Sequence, residues 1–197
     1  MSAESAKPNI LPGWAQPIIG FRPKDAREEA EKALMLTLIA REGDAILRRE
    51  CAYAHMTASS IIVSRDRKKT LMAYHKIYDS WAWTGGHADG ESGFEAVARR
   101  EAQEETGVSG LIRLGEGIAS VEILPVWAHI KKGKPVASHL HLNISYLFEA
   151  DETLPLRAAP DENSAVSWIE IDKLAECVSE PPMMPIYERL LERANDC

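Results

Sequence analysis

The chain has 197 residues, 45% hydrophobic and 27% charged, which fits one globular domain, or one domain with an appendage, and excludes a mainly disordered or fibrous chain. With 30 Asp and Glu against 23 Lys and Arg, the formal charge is −7. That argues against binding a nucleic-acid backbone, but not against a nucleotide whose charge metal ions neutralise. The longest strongly apolar stretch, Ala33 to Ala40, is too short to cross a bilayer, and no basic-then-apolar leader opens the sequence. Cys51, Cys177 and Cys197 are too scattered for a disulfide framework or a zinc site, so a soluble, reduced, cytoplasmic protein is expected.

Residues 1–24 carry Pro8, Pro12, Pro17 and Pro23 and read as an irregular arm, with Trp14 and the Ile18-Ile19 pair marking a part that docks. From Asp25 a helix is expected behind an acidic first turn. It presents Ala30, Ala33, Leu34, Leu38 and Met35 to a sheet edge and stops at Gly43, and a short turn follows over Ala45 to Leu47. Thr57–Ser64 and Thr70–His75 read as strands joined by the charged turn Arg65–Lys69, and Trp81–Trp83 as a short strand entering Gly85-Gly86. A helix over about Gly93–Thr106 ends at Gly107. Beyond it come strands at Leu111–Leu114 and Ile118–Ile130, a turn at Lys131–Lys134, and an alternating strand in Val136–Ala150. A loop over Glu152–Ser164, a strand over Val166–Ile171, a helical turn over Asp172–Cys177 and a helix over Pro185–Ala194 complete the chain. Strands and helices mix without a regular βαβ alternation, which predicts an α+β layered domain.

The helix after the glycines is the informative segment. With Phe94 as origin and about 100° per residue, Ala98 falls at about 40°, Ala102 at about 80° and Val97 at about 300°. On the same scale Glu101 falls at about 340°, Glu105 at about 20° and Glu104 at about 280°, so carboxylates share the apolar face. Like charges three and four residues apart cost roughly 0.2–0.5 kcal/mol each when exposed, and more when buried. Arg100 reaches Glu104 but cannot neutralise three carboxylates, whereas hard Mg2+ or Mn2+ prefers such oxygen ligands. A solvated acidic helix face is the alternative.

The segment Gly85–Val108, GGHADGESGFEAVARREAQEETGV, closely resembles the signature of the Nudix hydrolase family. Gly86 stands as its first glycine, and Arg100, Glu101, Ala102, Glu104, Glu105, Gly107 and Val108 stand at the required positions. The signature's first glutamate would fall at Ser92, with Glu91 one residue early as its substitute. The wider resemblance runs from about His55 to Leu174. It implies a Nudix fold, a mixed sheet sandwiched between helices, over residues 55–197, with the proline-rich arm and first helix (1–54) as an N-terminal extension outside it; the four prolines and a motif complete without the arm suggest that it acts on substrate choice or on pairing as a homodimer.

The resemblance further implies metal-dependent hydrolysis of a diphosphate linkage, in a nucleoside diphosphate-X or nucleoside triphosphate, by water attack at phosphorus. Glu101, Glu105 and Glu104 would be the ligands of Mg2+ or Mn2+, with the Gly86 carbonyl as a further one and Arg100 orienting the glutamates. Glu162 is the candidate base, with Asp161 competing. His139, His141 and Asn143 alternate along one strand face, as a pocket wall or as an exposed face, and His87 and His141 are candidate substrate contacts. Asp89 reads as a phosphate or metal contact or as a turn residue, and Trp81 and Trp83 as core residues or a base platform. Two other functions share this fold. One is a nucleotide-sensing domain without catalysis. The other is isopentenyl-diphosphate isomerisation, which needs a cysteine near the glycine loop, whereas Cys51 precedes the first core strand.

Overall fold

A computed structural model describes residues 10–76, 79–131 and 133–197. Pro8 of the arm and Lys132 of the expected turn lie outside the described residues.

The centre of the molecule is β1 (Ala54–Ser64), buried along all 11 residues. It pairs in parallel with β9 (His139–Ala150) from Ala54↔Leu140 to Ser64↔Ala150. Every other pairing is antiparallel. β2 (Lys69–His75) and β4 (Thr84–His87) both lie against β1, and β3 (Ser80–Ala82) and β10 (Asn163–Glu170) lie against β2. β5 (Ile112–Leu114) and β6 (Ser120–Val126) share the far side of β9. The expected strand over Ile118–Ile130 is therefore divided, its end forming the hairpin β7 (His129–Lys131) with β8 (Lys134–Val136).

Helices cover both faces, so β1 is small or apolar along most of its length, with the buried His55 and Thr57 as polar exceptions near its start. Ala54, Met56, Ala58 and Ile62 pack beneath α1 (Gln16–Gly20), α2 (Ala26–Glu42) and α3 (Phe94–Thr106). Ile61 and Val63 face α4 (Leu174–Cys177) and α5 (Met184–Asn195), which contribute Leu174, Ile186, Tyr187, Leu190 and Leu191. This mixed sheet between helices is the expected α+β architecture.

The described part of the arm is more regular than its prolines suggest. Gly13–Ala15 forms a 3-10 turn running into α1, and Pro17 sits in the first helical turn, where its missing N–H costs nothing. Ala15 and Ile18 are buried in the same core as the sheet, and Trp14 meets Phe94 edge-to-face with its indole N–H on Asp44.

The buried face of α2 also differs from the expected one. Met35 is buried and Leu38 packs on the core as expected, but Ile39 and Glu28 also point inward, while Ala30, Ala33 and Leu34 are exposed. The cause is electrostatic. Glu28 is fully buried and accepts two hydrogen bonds of 2.7 Å from the Arg193 guanidinium and one of 2.7 Å from Ser120. Arg189 lies 3.0 Å from the same carboxylate and 3.6 Å from the buried Glu122. Despite burial, these donors hold the Glu28 carboxyl below its ordinary range. Asp25 caps α2 through the Glu28 N–H, which fixes the helix start at this seam. The helix thereby lies against β6, the edge strand.

Replacing Arg193 by Met should destabilise the protein by about 3 kcal/mol, because it strips a buried carboxylate of its bidentate donor. Urea unfolding measures this, and an unchanged midpoint would show that the pair carries no stability.

Candidate active site

α3 docks on β1 and β4 through Phe94, Val97, Ala98 and Ala102, and the two alanines let the helix approach the sheet. The helix ends at Gly107, left-handed at φ 68°, whose N–H closes on Gln103. Gly85 and Gly86 lie within β4 rather than in a loop, paired to Ser59 and Ala58. A Cβ on Gly86 would overlap the Glu101 carboxylate, and one on Gly85 would overlap Ser59. At Gly85 the close approach of the Ala58 carbonyl excludes a side chain, and at Gly86 a side chain would displace the Glu101 carboxylate from its place.

That contact concentrates negative charge. Carboxylate oxygens of Glu101, Glu105 and Glu162 all lie within 4.8 Å of one another. Glu105 is buried and accepts the Gly85 N–H at 3.0 Å. Burial pushes its pKa up to about 8, with Glu162, Glu101 and Glu104 adding to the rise. Glu101 is raised as well, by burial and then by Glu104. Glu104 itself is exposed on the helix flank.

Glu162 reaches the cluster because its loop is tied to the end of α3. The Asn163 amide donates to the Glu105 carbonyl at 2.8 Å, and the Arg157 N–H donates to the Thr106 carbonyl at 2.7 Å. Asn163 also accepts from the Ala159 N–H, and Lys76 donates to the Pro160 carbonyl. Asp161 is exposed and outside the cluster. Arg100 gathers three carboxylates: Glu91 at 2.6 Å, Glu101 at 3.5 Å and Glu104 at 4.0 Å. The Glu91 carboxylate thus meets the signature arginine, whereas Ser92 is exposed.

Other candidates fall elsewhere. Asp89, at φ 48°, is held bidentately by Arg49 at 2.7 and 2.5 Å, which keeps its carboxyl below the usual range. Trp81 and Trp83 pack edge-on against Tyr74 and Tyr187 in the α5-side core, the structural one of their two expected roles. Asn143 is buried in a polar web with Thr57, Ser59, Glu122 and Ser145, so its face is not solvent-exposed. His87 and His141 do not join the glutamates. Strand alternation puts His87 on the side of β4 opposite the Glu101-facing side of Gly86, beside His55 and His141. Sequence reasoning missed Arg49, Asn163 and His55. Asn163 directly after Glu162 was the available signal, but its partner is a backbone carbonyl that only the fold reveals.

The model of the NUDIX domain matches residues 54–194. The chain belongs to the Nudix family. Among solved structures it resembles a Caenorhabditis elegans Ap4A hydrolase binary complex, at 18% identity and TM-score 0.51, over 72% of this chain and 95% of that one. It also resembles the Nudix hydrolase RenU from M. smegmatis, at 16% identity and TM-score 0.50, over 72% of this chain and 84% of that one. No curated protein matches. This Nudix chain is a hydrolase acting on diphosphate bonds. Burial pushes the Cys51 thiol up, which is the reverse of what a reactive cysteine needs.

The raised Glu105 pKa has a consequence for stability. A carboxyl that holds its proton more tightly folded than unfolded makes the metal-free protein lose stability as pH rises from about 4.5 to about 8, with a plateau above. Glu105→Gln should flatten that slope and raise the metal-free Tm at pH 8 by about 5 °C or more. Thermal melts across this range decide it, and a parallel slope in the variant would locate the proton elsewhere.

Proposed function

We propose that the chain is a metal-dependent pyrophosphohydrolase that cleaves a diphosphate linkage in a nucleoside diphosphate-X or nucleoside triphosphate by water attack at phosphorus. The observation that carries this reading is the convergence of Glu101, Glu105 and Glu162 on a space less than 4.8 Å across, one of them buried and crowded enough to favour protonation. Hard oxygen donors in that density fit Mg2+ or Mn2+, and burial leaves the like charges in need of a cation. When bound, the metal neutralises the diphosphate and stabilises charge on the leaving oxygen.

The chain's own residues divide the work. Glu101 and Glu105 hold the cation, Glu104 serves from the exposed flank through water, and the Gly86 carbonyl is a further donor. Arg100 is a positioning residue, fixed by Glu91 and presenting Glu101. Glu162 stands at the exposed side of the cluster and accepts the proton of the attacking water. The new P–O bond forms as the bridging P–O bond breaks, and the leaving phosphate carries away the electron pair. His87 and His141, with their rings 4.8 Å apart, lie on the side of β4 away from the glutamates, so neither is assigned to group X.

The test is a panel of ADP-ribose, diadenosine polyphosphates, nucleotide sugars, nucleoside triphosphates and coenzyme A, with and without Mg2+ or Mn2+. The Ap4A hydrolase among the structural neighbours motivates the dinucleotides. Products formed in 18O-water identify the attacked phosphorus. Tight binding of a panel member without turnover would replace this reading with that of a sensing domain. Glu105→Gln should lower kcat on the order of 1000-fold, and Glu162→Gln by about 100-fold with metal affinity retained. Glu91→Gln should lower kcat about tenfold, because Arg100 loses its 2.6 Å partner, while Ser92→Ala changes little. An unchanged kcat in Glu91→Gln would leave Glu91 as a surface charge only.

A further inference from the structure

Four of the chain's six histidines meet at one place. The His55 ring lies 5.0 Å from His87, 4.8 Å from His139 and 5.1 Å from His141, centroid to centroid. Strand register produces this. His55 pairs with His141 across the parallel β1–β9 ladder, and His139 is two residues along β9 on the same face. His87 sits opposite Thr57 on β4, again on that face. The glutamate cluster lies on the other side of β4 and uses none of these residues.

The hydrogen bonds of these rings fix where their lone pairs point. His55 Nδ1 lies 3.2 Å from the Cys51 carbonyl, and His139 Nδ1 lies 2.9 Å from the Ala137 carbonyl. A carbonyl only accepts, so both rings carry their proton on Nδ1, and each Nε2 presents a lone pair to the cluster. His55 is 4% exposed, and its Nε2 is buried with no hydrogen-bond partner among the described residues. Such an orphaned acceptor costs free energy unless something binds it. His139 Nε2 lies 3.2 Å from His141 Nε2, whose N–H donates to that lone pair in the metal-free chain and gives up its proton when a metal binds. Two nitrogens on one tetrahedral Zn2+, each about 2.0–2.1 Å from it, stand about 3.3 Å apart. The third nitrogen falls within 4.8 Å of both. A backbone carbonyl on the far nitrogen of a ring is also the usual outer partner of a metal-bound histidine.

We propose that His55, His139 and His141 form a second metal site, for a transition-metal dication, with Zn2+ as the ion that three imidazoles select over Mg2+. His87 walls the cluster on the β4 side, and the fourth position is left to water or to an anionic ligand. Arg49, the cation whose charge is felt at His55, is neutralised by its bidentate partner Asp89. The proposal does not depend on the hydrolytic reading, and its test measures binding rather than turnover.

Chelator-treated protein is titrated with Zn2+ in excess Mg2+, with bound zinc counted after dialysis, and separately with Co2+ as a spectroscopic probe. One Zn2+ per chain is expected, with the visible bands of a tetrahedral nitrogen-ligated Co2+. His139→Ala and His141→Ala, both at half-buried positions, should each weaken Zn2+ binding at least about 100-fold, more than the loss of an outer partner costs. The double variant Glu101→Gln with Glu105→Gln should keep the zinc and the Co2+ bands. His55→Gln should also lose the zinc, and circular dichroism checks that it folds. No zinc uptake by the wild-type chain would overturn the site. So would zinc that survives the histidine substitutions and disappears from the glutamate variant.

Discussion

The parallel ladder between β1 and β9 is the constraint on which the remaining structure hangs. It runs the whole length of β1 and is covered on both faces, so the register is fixed wherever one looks along it. A slip by one residue would move Met56, Ala58 and Ile62 to the α5 side and bring Ile61 and Val63 beneath α3. The same slip would separate His55 from His141 and detach Asn143 from Thr57 and Ser59. β4 reads its position from β1, and α3 reads its own from β4, so the glutamates inherit their placement from this one pairing.

The site itself is a local sacrifice of stability. Three carboxylates are drawn together where the helix meets β4, and the single guanidinium of Arg100 reaches only Glu101 among them. The Gly85 N–H contacts Glu105, and Gly86 gives up its side chain so that Glu101 fits. The structure offsets this with compensated charge elsewhere. Glu28, buried as completely as any residue here, meets two guanidiniums, and Asp89 meets one. The contrast separates a carboxylate that fastens the fold from carboxylates that hold something the chain does not provide.

Much of this was legible in the sequence, for physical reasons that differ by element. The α3 carboxylates could be placed because helical periodicity is local, and the conflict between three glutamates and an apolar face is visible without any partner. The strands were legible from β-branched runs and charged turns. What was not legible depended on distant partners. The inward turn of Glu28 needs Arg189 and Arg193 from the last helix, so an apolar count of α2 chose Ala30, Ala33 and Leu34 instead. The regularity of Gly13–Gly20 was hidden because Pro17 was weighed as a breaker, although a first helical turn accepts it. His55 and His141 stand 86 residues apart along the chain and become neighbours only through strand register.

That separation also orders the protein's birth. Each residue of β1 leaves the ribosome 86 residues before its partner in β9. At roughly 5–20 residues per second, the central strand waits several seconds with one long side unpaired. β2 and β4 arrive earlier and pair antiparallel with the edge of β1 that β9 does not use, so with α3 on top they shelter that side of the strand only. Of the covering helices only α1, α2 and α3 precede β9, so the α5-side face and the β9 edge of β1 stay open until the rest of the chain emerges. A chain halted before residue 139 would present that edge, apolar and flat, to its neighbours on the polysome.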